Sequence, residues 1–202
     1  MVSGTCWQPT LLGSGRDHSP PSFAAAHRHD LGRGAWVEEV PFWVSGTDEL
    51  FDLVHDQAPW GSVETRPMYD RIVEVPRLHT GVWPDLPPAV DTLAQALSAH
   101  YGADLTSVSA NLYRDGTDSV AWHGDRVGRH RTITTVAILT LGSPRRFLLR
   151  PTGGGSSLAF EPGAGDLLVM GGTCQRTFEH SVPKRAHAGP RICVMFREPG
   201  GN

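Results

Sequence analysis

Cysteine is scarce and scattered in this chain. Only Cys6, Cys174 and Cys193 are present, and they show no paired spacing, which argues against a disulfide framework and for a reducing interior. Long apolar runs are missing as well. No stretch is apolar enough or long enough to cross a bilayer, and Leu11-Leu12 is too short for the core of a signal peptide. Neither sign of charge is in excess, since the formal net charge is −3, so no global field advertises a polyanionic partner. Gly153, Gly154 and Gly155 are not followed by a helix with Lys-Ser/Thr, which argues against a phosphate-binding loop. These absences leave an expectation of a soluble, cytoplasmic protein with no membrane contact, and a monomer is expected although the sequence itself does not decide the oligomeric state. Its 202 residues suit one domain with a full core and room for a tail.

Residues 1–34 are rich in Gly, Ser, Pro, Arg and His and poor in large apolar side chains, so this segment is read as a flexible tail. A single domain is expected over 35–202, opening with a strand from Ala35-Trp36-Val37 to Val40 and Phe42. Thr47, followed by Asp48 and Glu49, marks a helix start with the Thr hydroxyl as cap. A second helix is signalled by Pro87-Pro88, by Val90, Leu93, Ala94, Leu97 and Tyr101 at helical spacing, and by Gly102 as terminator. Both helices are read as scaffold. From Asp104 onward the chain reads as strands and turns. Thr106 to Arg114 is one strand, Asp115-Gly116 a hairpin turn, and Ser119 to Asp125 the return strand. Thr132 to Leu141 has the dense apolar character of a strand buried by two layers. Short strands follow at Arg146 to Arg150, Ser157 to Glu161 and Asp166 to Met170. This spacing suggests a sandwich or barrel.

Chemistry concentrates between His123 and Arg197. In a strand alternate side chains share a face, so His123 and Asp125 point the same way and can grip one ion. His180 is the best candidate for a third ligand, because it completes the two-histidine, one-carboxylate set that suits non-haem Fe(II) and leaves positions open. In Arg191-Ile192-Cys193-Val194-Met195-Phe196-Arg197 the even spacing puts both arginines on one face, while Ile192, Val194 and Phe196 cover the other. An inward guanidinium needs an anion, and its planar fork matches a carboxylate. Iron beside two arginines suits a small dicarboxylate.

With these residues the chain resembles the AlkB family of Fe(II)/2-oxoglutarate dioxygenases. The match is carried by His123-x-Asp125, His180, Arg191 and Arg197, by Asn111-Leu112-Tyr113, and by Gly-Asp-Leu-Leu-Val-Met-Gly-Gly over 165–172. The resemblance implies a fold that is mainly β with flanking helices: a double-stranded β-helix, or jelly roll, over about 104–198, with an N-terminal helical and lid extension. It implies Fe(2+), 2-oxoglutarate as co-substrate, and O2. His123, Asp125 and His180 would be the metal ligands. Arg191 would pair with the distal carboxylate of the co-substrate, Arg197 would lie near the carboxylate beside the keto group, and Asn111 and Tyr113 would add neutral donors. The implied reaction is oxidative demethylation of alkylated bases in DNA or RNA, such as N1-methyladenine and N3-methylcytosine, with release of formaldehyde, succinate and CO2.

Substrate contacts are less fully specified. Residues 60–83 have no regular pattern and would form the family's lid, with Trp60 and Tyr69 as aromatics to stack on a flipped base and Arg66 beside them. Arg126 and Val127 follow the metal strand directly. Arg126, Arg129, His130 and Arg131, with Arg145, Arg146, Arg150, Lys184 and Arg185, would hold phosphates if they gather on the metal side. Two positions depart from the family. Val127 stands where the family has an acidic residue two places after the metal Asp that helps to read the base, and Cys193 stands where it has an asparagine two places after the first arginine of the pair. Two further readings stay open: the same chemistry turned on a protein or small molecule, and a non-catalytic nucleic-acid-binding jelly roll.

Overall fold

The computed structural model describes residues 21–61, 65–68, 71–74, 77–125 and 131–200. Along the chain, β1 (His27–Gly32) and β2 (Ala35–Val40) precede helix α1 (Thr47–Gln57); β3 (Thr65–Met68), β4 (Arg71–Glu74) and β5 (Leu78–His79) lead to helix α2 (Pro88–Tyr101). Then come β6 (Ser107–Tyr113), β7 (Val120–His123), β8 (Val136–Gly142), β9 (Phe147–Pro151), β10 (Leu158–Phe160) and β11 (Leu167–Gly172). The short helix α3 (Cys174–Thr177), β12 (Phe178–Val182) and β13 (Arg191–Arg197) complete the set.

Seven strands form a major sheet in the order β1-β2-β11-β8-β13-β6-β5, and four form a minor sheet in the order β10-β9-β12-β7. Strands β3 and β4 pair separately as an antiparallel hairpin. The fold is the jelly roll expected from the sequence, two antiparallel sheets with helices laid on one of them. Period-two alternation divides the core into two layers. Ile192, Val194 and Phe196 of β13 meet Val108, Ala110 and Leu112 of β6, and with Phe51 and Val54 of α1 and Val90, Leu93 and Leu97 of α2 they form the layer under the helices. Tyr113, Cys193 and Met195 face the other way, joining Ile138, Phe147, Leu149 and Phe160 between the sheets. β8, covered on both faces, is buried along its whole length.

Several local expectations are corrected. Residues 27–32, read as tail, form β1, an edge strand whose polar side chains lean outward while its backbone pairs with β2. Thr47 does not cap α1. Gly46 takes that place at φ 65°, and no side chain caps the helix, because the left-handed bend there favours a residue without a Cβ. Residues 60–83 are more regular than their composition suggests, since they contain β3, β4 and β5. Asp115-Gly116 does not join a hairpin: β6 pairs with β13 and β5, whereas β7 pairs with β12 in the other sheet. The chain crosses between sheets at this corner. Buried Asp118 fixes it by accepting from the backbone N–H, Nε and Nη2 of Arg114, each at 2.8 Å.

The run 165–172 also has a packing reason. A side chain at Gly171 would collide with the indole of Trp36, so this close approach of β11 to β2 requires glycine. Among the described residues, no helix is long and apolar enough to cross a membrane.

Candidate active site

Antiparallel pairing of β12 with β7 sets His180 directly opposite His123, and their ring centroids lie 4.3 Å apart. Asp125 lies two residues past the end of β7, outside the regular strand. Its position is held instead by its backbone N–H, which donates to Oε1 of Gln175 at 3.0 Å. One ligand-type atom from each of His123, Asp125 and His180 falls within 4.8 Å of the other two. The set comes from two strands and a loop, with Gln175 of α3 as an outer support that the sequence reading missed.

The donor chemistry fits a divalent metal. Nδ1 of His123 lies 2.8 Å from the carbonyl of Ala121, so Nδ1 carries the proton and the lone pair sits on Nε2, the arrangement in which a backbone carbonyl orients a metal-binding imidazole. His180 is buried, and burial first of all lowers its pKa to about 3, with His123, Arg197 and Arg77 adding to the effect against Asp125. It is therefore neutral near pH 7. Its Nδ1 is buried without a hydrogen-bond partner, an orphaned polar atom of the kind a ligand relieves. Burial would raise the Asp125 pKa, but Arg197, His180 and His123 outweigh it and bring it down to about 2. Nε and Nη2 of Arg197 each lie 3.3 Å from Oδ2 of Asp125. Phe147 stacks on His180 with centroids 5.1 Å apart.

A cavity of about 310 Å³ opens beside this set, lined by His123, Asp125 and His180, by Ser109, Asn111 and Tyr113 of β6, and by Cys193, Met195 and Arg197 of β13. The two faces of β13 explain this lining: residues that alternate with the apolar Ile192, Val194 and Phe196 point between the sheets. Arg191 is fully buried. Its Nη2 donates to Oγ1 of Thr140 at 3.0 Å, its guanidinium carbon lies 5.6 Å from the Tyr113 ring centroid, and its Nε and Nη1 have no partner. Asn111 donates through Nδ2 to the Met195 sulfur at 3.2 Å. Burial pushes the Tyr113 phenol up to about 12 and raises the Cys193 thiol, so both stay protonated and neutral. Arg77 and His79 also line the cavity. The backbone N–H of Gly81 donates to Nδ1 of His79 at 2.8 Å, which leaves the ring proton on Nε2.

Other expected substrate residues are not gathered here. Trp60 packs into the core layer under the helices, with Nε1 donating to the carbonyl of His55 at 2.8 Å. It lies across the major sheet from the cavity, so a stacking role for it is withdrawn. Arg66 sits on β3, of which only the backbone is described, and Tyr69, Arg126 and Val127 lie outside the described residues. The proposed phosphate-holding cluster is also corrected in part. Arg145 is buried, and it donates to the carbonyls of Asp115, Asp118 and Pro183 at 2.8–2.9 Å. Arg150 lies over the Trp122 ring and pairs with Glu179, Arg131 pairs with Glu198, and Arg185 pairs with Glu161.

Comparison with known proteins agrees with this geometry. The family described as the 2OG-Fe(II) oxygenase superfamily matches residues 25–197. The chain is 29% identical over 231 aligned residues to the DNA oxidative demethylase ALKBH2 of Arabidopsis thaliana, covering 89% of this chain and 72% of that one. It is 30% identical to the human alpha-ketoglutarate-dependent dioxygenase alkB homolog 3 over 83% of this chain and 62% of that one. A mimivirus protein, uncharacterized protein R406 of Acanthamoeba polyphaga mimivirus, is 32% identical over 57% of this chain and 61% of its own. The chain thus spans less than two thirds of the human and viral relatives. Among solved structures, OsALKBH1 superposes with a TM-score of 0.59 at 14% identity, covering 85% of this chain and 100% of that one. An oxidoreductase of the 2OG-Fe(II) oxygenase family from Burkholderia pseudomallei gives 0.56 at 12% identity, covering 82% and 86%. With the family match running over nearly all of the described sandwich, this chain belongs to the 2OG-Fe(II) oxygenase superfamily, an Fe(II)- and 2-oxoglutarate-dependent dioxygenase whose sequence relatives include AlkB homologues.

Proposed function

We propose that this dioxygenase oxidatively demethylates alkylated bases in DNA or RNA, acting as a monomer in the cytoplasm, with His123, Asp125 and His180 as metal ligands and Asn111, Tyr113, Arg191 and Arg197 as co-substrate contacts. The observation that carries the reading is one cavity in which two imidazoles and a carboxylate converge with Arg77, Arg197 and Tyr113 in the lining, and with buried Arg191, two of whose guanidinium nitrogens lack an acceptor, next to the Tyr113 ring. A dicarboxylate supplies those acceptors, since an arginine fork accommodates a carboxylate and an unpaired buried N–H is costly. The relative named a DNA oxidative demethylase supports the choice of substrate. Buried free thiols at Cys174 and Cys193 suit a reducing compartment.

Iron(II) with 2-oxoglutarate and O2 supplies the oxidation, in which the co-substrate loses CO2 to give succinate and an oxygen atom reaches the N-methyl carbon. The chain's own residues orient and shield. Neutral His180 and ionised Asp125 need shed no proton to bind a metal near pH 7. Tyr113 and Asn111 offer uncharged donors to the co-substrate. Arg197 neutralises Asp125 through Oδ2 while donating to Oγ of Ser109 at 2.6 Å, which holds the carboxylate among the three converging ligand-type atoms. A hydroxymethyl group left on a ring nitrogen sheds formaldehyde and restores the base, so no separate general base is required.

A second reading, the same oxidation of a protein or small molecule, is favoured by the burial of Arg145 against three carbonyls and the pairing of Arg150 with Glu179, which take two cations from any phosphate track. The separating experiment supplies Fe(II), ascorbate and 2-oxoglutarate with single-stranded oligonucleotides carrying N1-methyladenine or N3-methylcytosine. Loss of the methyl mass with matching formaldehyde is expected. Succinate no greater than in the absence of oligonucleotide, with the methyl group retained, would overturn the nucleic-acid reading and leave the second.

A further inference from the structure

Arg77 belongs to no motif of the sequence, and the sheet gives it a place. Leu78 pairs with Leu112 and His79 with Asn111. Carried one residue back, the same register sets Arg77 opposite Tyr113, whose partner on the other side is Arg191. Residues paired across strands share a face, so Arg77, just before β5, lines up with Tyr113 of β6 and Arg191 of β13, and both guanidinium charges act on the phenol.

Each cation keeps at least one buried nitrogen without an acceptor. Nε of Arg77 is buried without a hydrogen bond, as are Nε and Nη1 of Arg191. Arg77 lines the cavity, and its charge is felt by Tyr113 and Cys193 as well as by His180. Asp125, the acid of this cavity, already pairs with Arg197. Among the described residues no carboxylate pairs with Arg77. Its orphaned nitrogen lies within the sheet row rather than at the surface, where the phosphate of a polymer would stay.

We propose that Arg77 is a co-substrate-binding residue: with Arg191 it closes on the far carboxylate of 2-oxoglutarate from the two sides of Tyr113, and so restricts the site to 2-oxo acids that carry a second carboxylate. The inference rests on the oxygenase chemistry of the site, not on its nucleic-acid substrate, so the two readings fail separately.

Calorimetry on the full chain loaded with Ni(II), which gives no turnover, tests it with 2-oxoglutarate and with 2-oxopentanoate, the analogue ending in a methyl group. Arg77→Gln should weaken 2-oxoglutarate by at least about tenfold, the scale of one charge-assisted contact, and leave 2-oxopentanoate within about twofold. Arg77→Lys keeps the charge without the fork and should fall between. Should a thermal melt show Arg77→Gln unfolded, Arg77→Lys decides: loss confined to 2-oxoglutarate supports the assignment, and no loss overturns it. Equal weakening of both acids, unchanged 2-oxoglutarate affinity, or an effect seen only with a methylated oligonucleotide would each overturn it.

Discussion

His123 and His180 face each other because two antiparallel strands bring them into register, and Asp125 joins them because Gln175 holds its backbone. Replacing His123 by Ala removes one of the three proposed metal ligands. Succinate formation should fall by on the order of 100-fold or more, since even outer-sphere partners of a metal site are worth about 10- to 100-fold. Gln175→Ala leaves all three ligands present but loosens one, so an iron titration should show roughly tenfold weaker binding with the fold intact. The parity of β13 made the arginine pair readable from sequence, because alternate apolar residues name the buried face and the others must share the opposite one. Arg77 was not readable in this way. It precedes a strand of only two residues, too short to show alternation, within a segment whose composition suggests irregular chain. Arg145 next to Arg146 reads as surface charge in sequence, and only the corner between β6 and β7 shows why it is buried.

That corner is an element-scale device. Two carbonyls of the corner, Asp115 and Asp118, and that of Pro183 after β12 accept from Arg145, and truncation to Met would remove that donor from all three. A loss of about 3 kcal/mol is expected in a denaturant titration. Packing of β11 on β2 is equally tight at Gly171, so Gly171→Ala should lower stability by about 1–3 kcal/mol through overpacking against Trp36. Where helix α2 ends, Tyr101 donates to Oε1 of Glu38 at 2.6 Å. Burial, then the contact with Glu38, raises its pKa well above the ordinary phenol value. The folded state therefore holds this proton more firmly than the unfolded chain does. Its contribution is intact below about pH 10, the unfolded value, and is lost as pH climbs above it. Tyr113 adds to the same decline. Alkaline melts of Tyr101→Phe should show a shallower, still present, loss of stability above pH 10. The sequence signalled α1, α2 and most strands because their apolar spacing is regular, but not the four-residue α3, which is too short to show a period. It concealed β1, an exposed edge with polar side chains, and the change of sheet at Asp115-Gly116, because turn residues report local bending and not which sheet the next strand joins.

At the scale of the molecule, the major sheet serves two layers at once. One face packs against α1 and α2, and the other, with the minor sheet, encloses the cavity. Site and core are alternate residues of the same strands, so the jelly roll fixes the chemistry through register. That link was partly legible beforehand: His123-x-Asp125, the arginine pair and the sandwich show in short-range spacing and His180 in the ligand combination it completes, whereas Trp60 fell on the helix side of the sheet, a placement that depends on the packing of α1. The central claim is that His123, Asp125 and His180 hold one iron beside the arginine-lined cavity. Anomalous diffraction at the iron edge, on crystals grown without oxygen with Fe(II) and 2-oxoglutarate, tests it most directly. The expected result is a single iron peak bonded to those three side chains, with 2-oxoglutarate extending from it toward Arg191. An iron peak elsewhere, or one that leaves His180 unbound, would contradict the account.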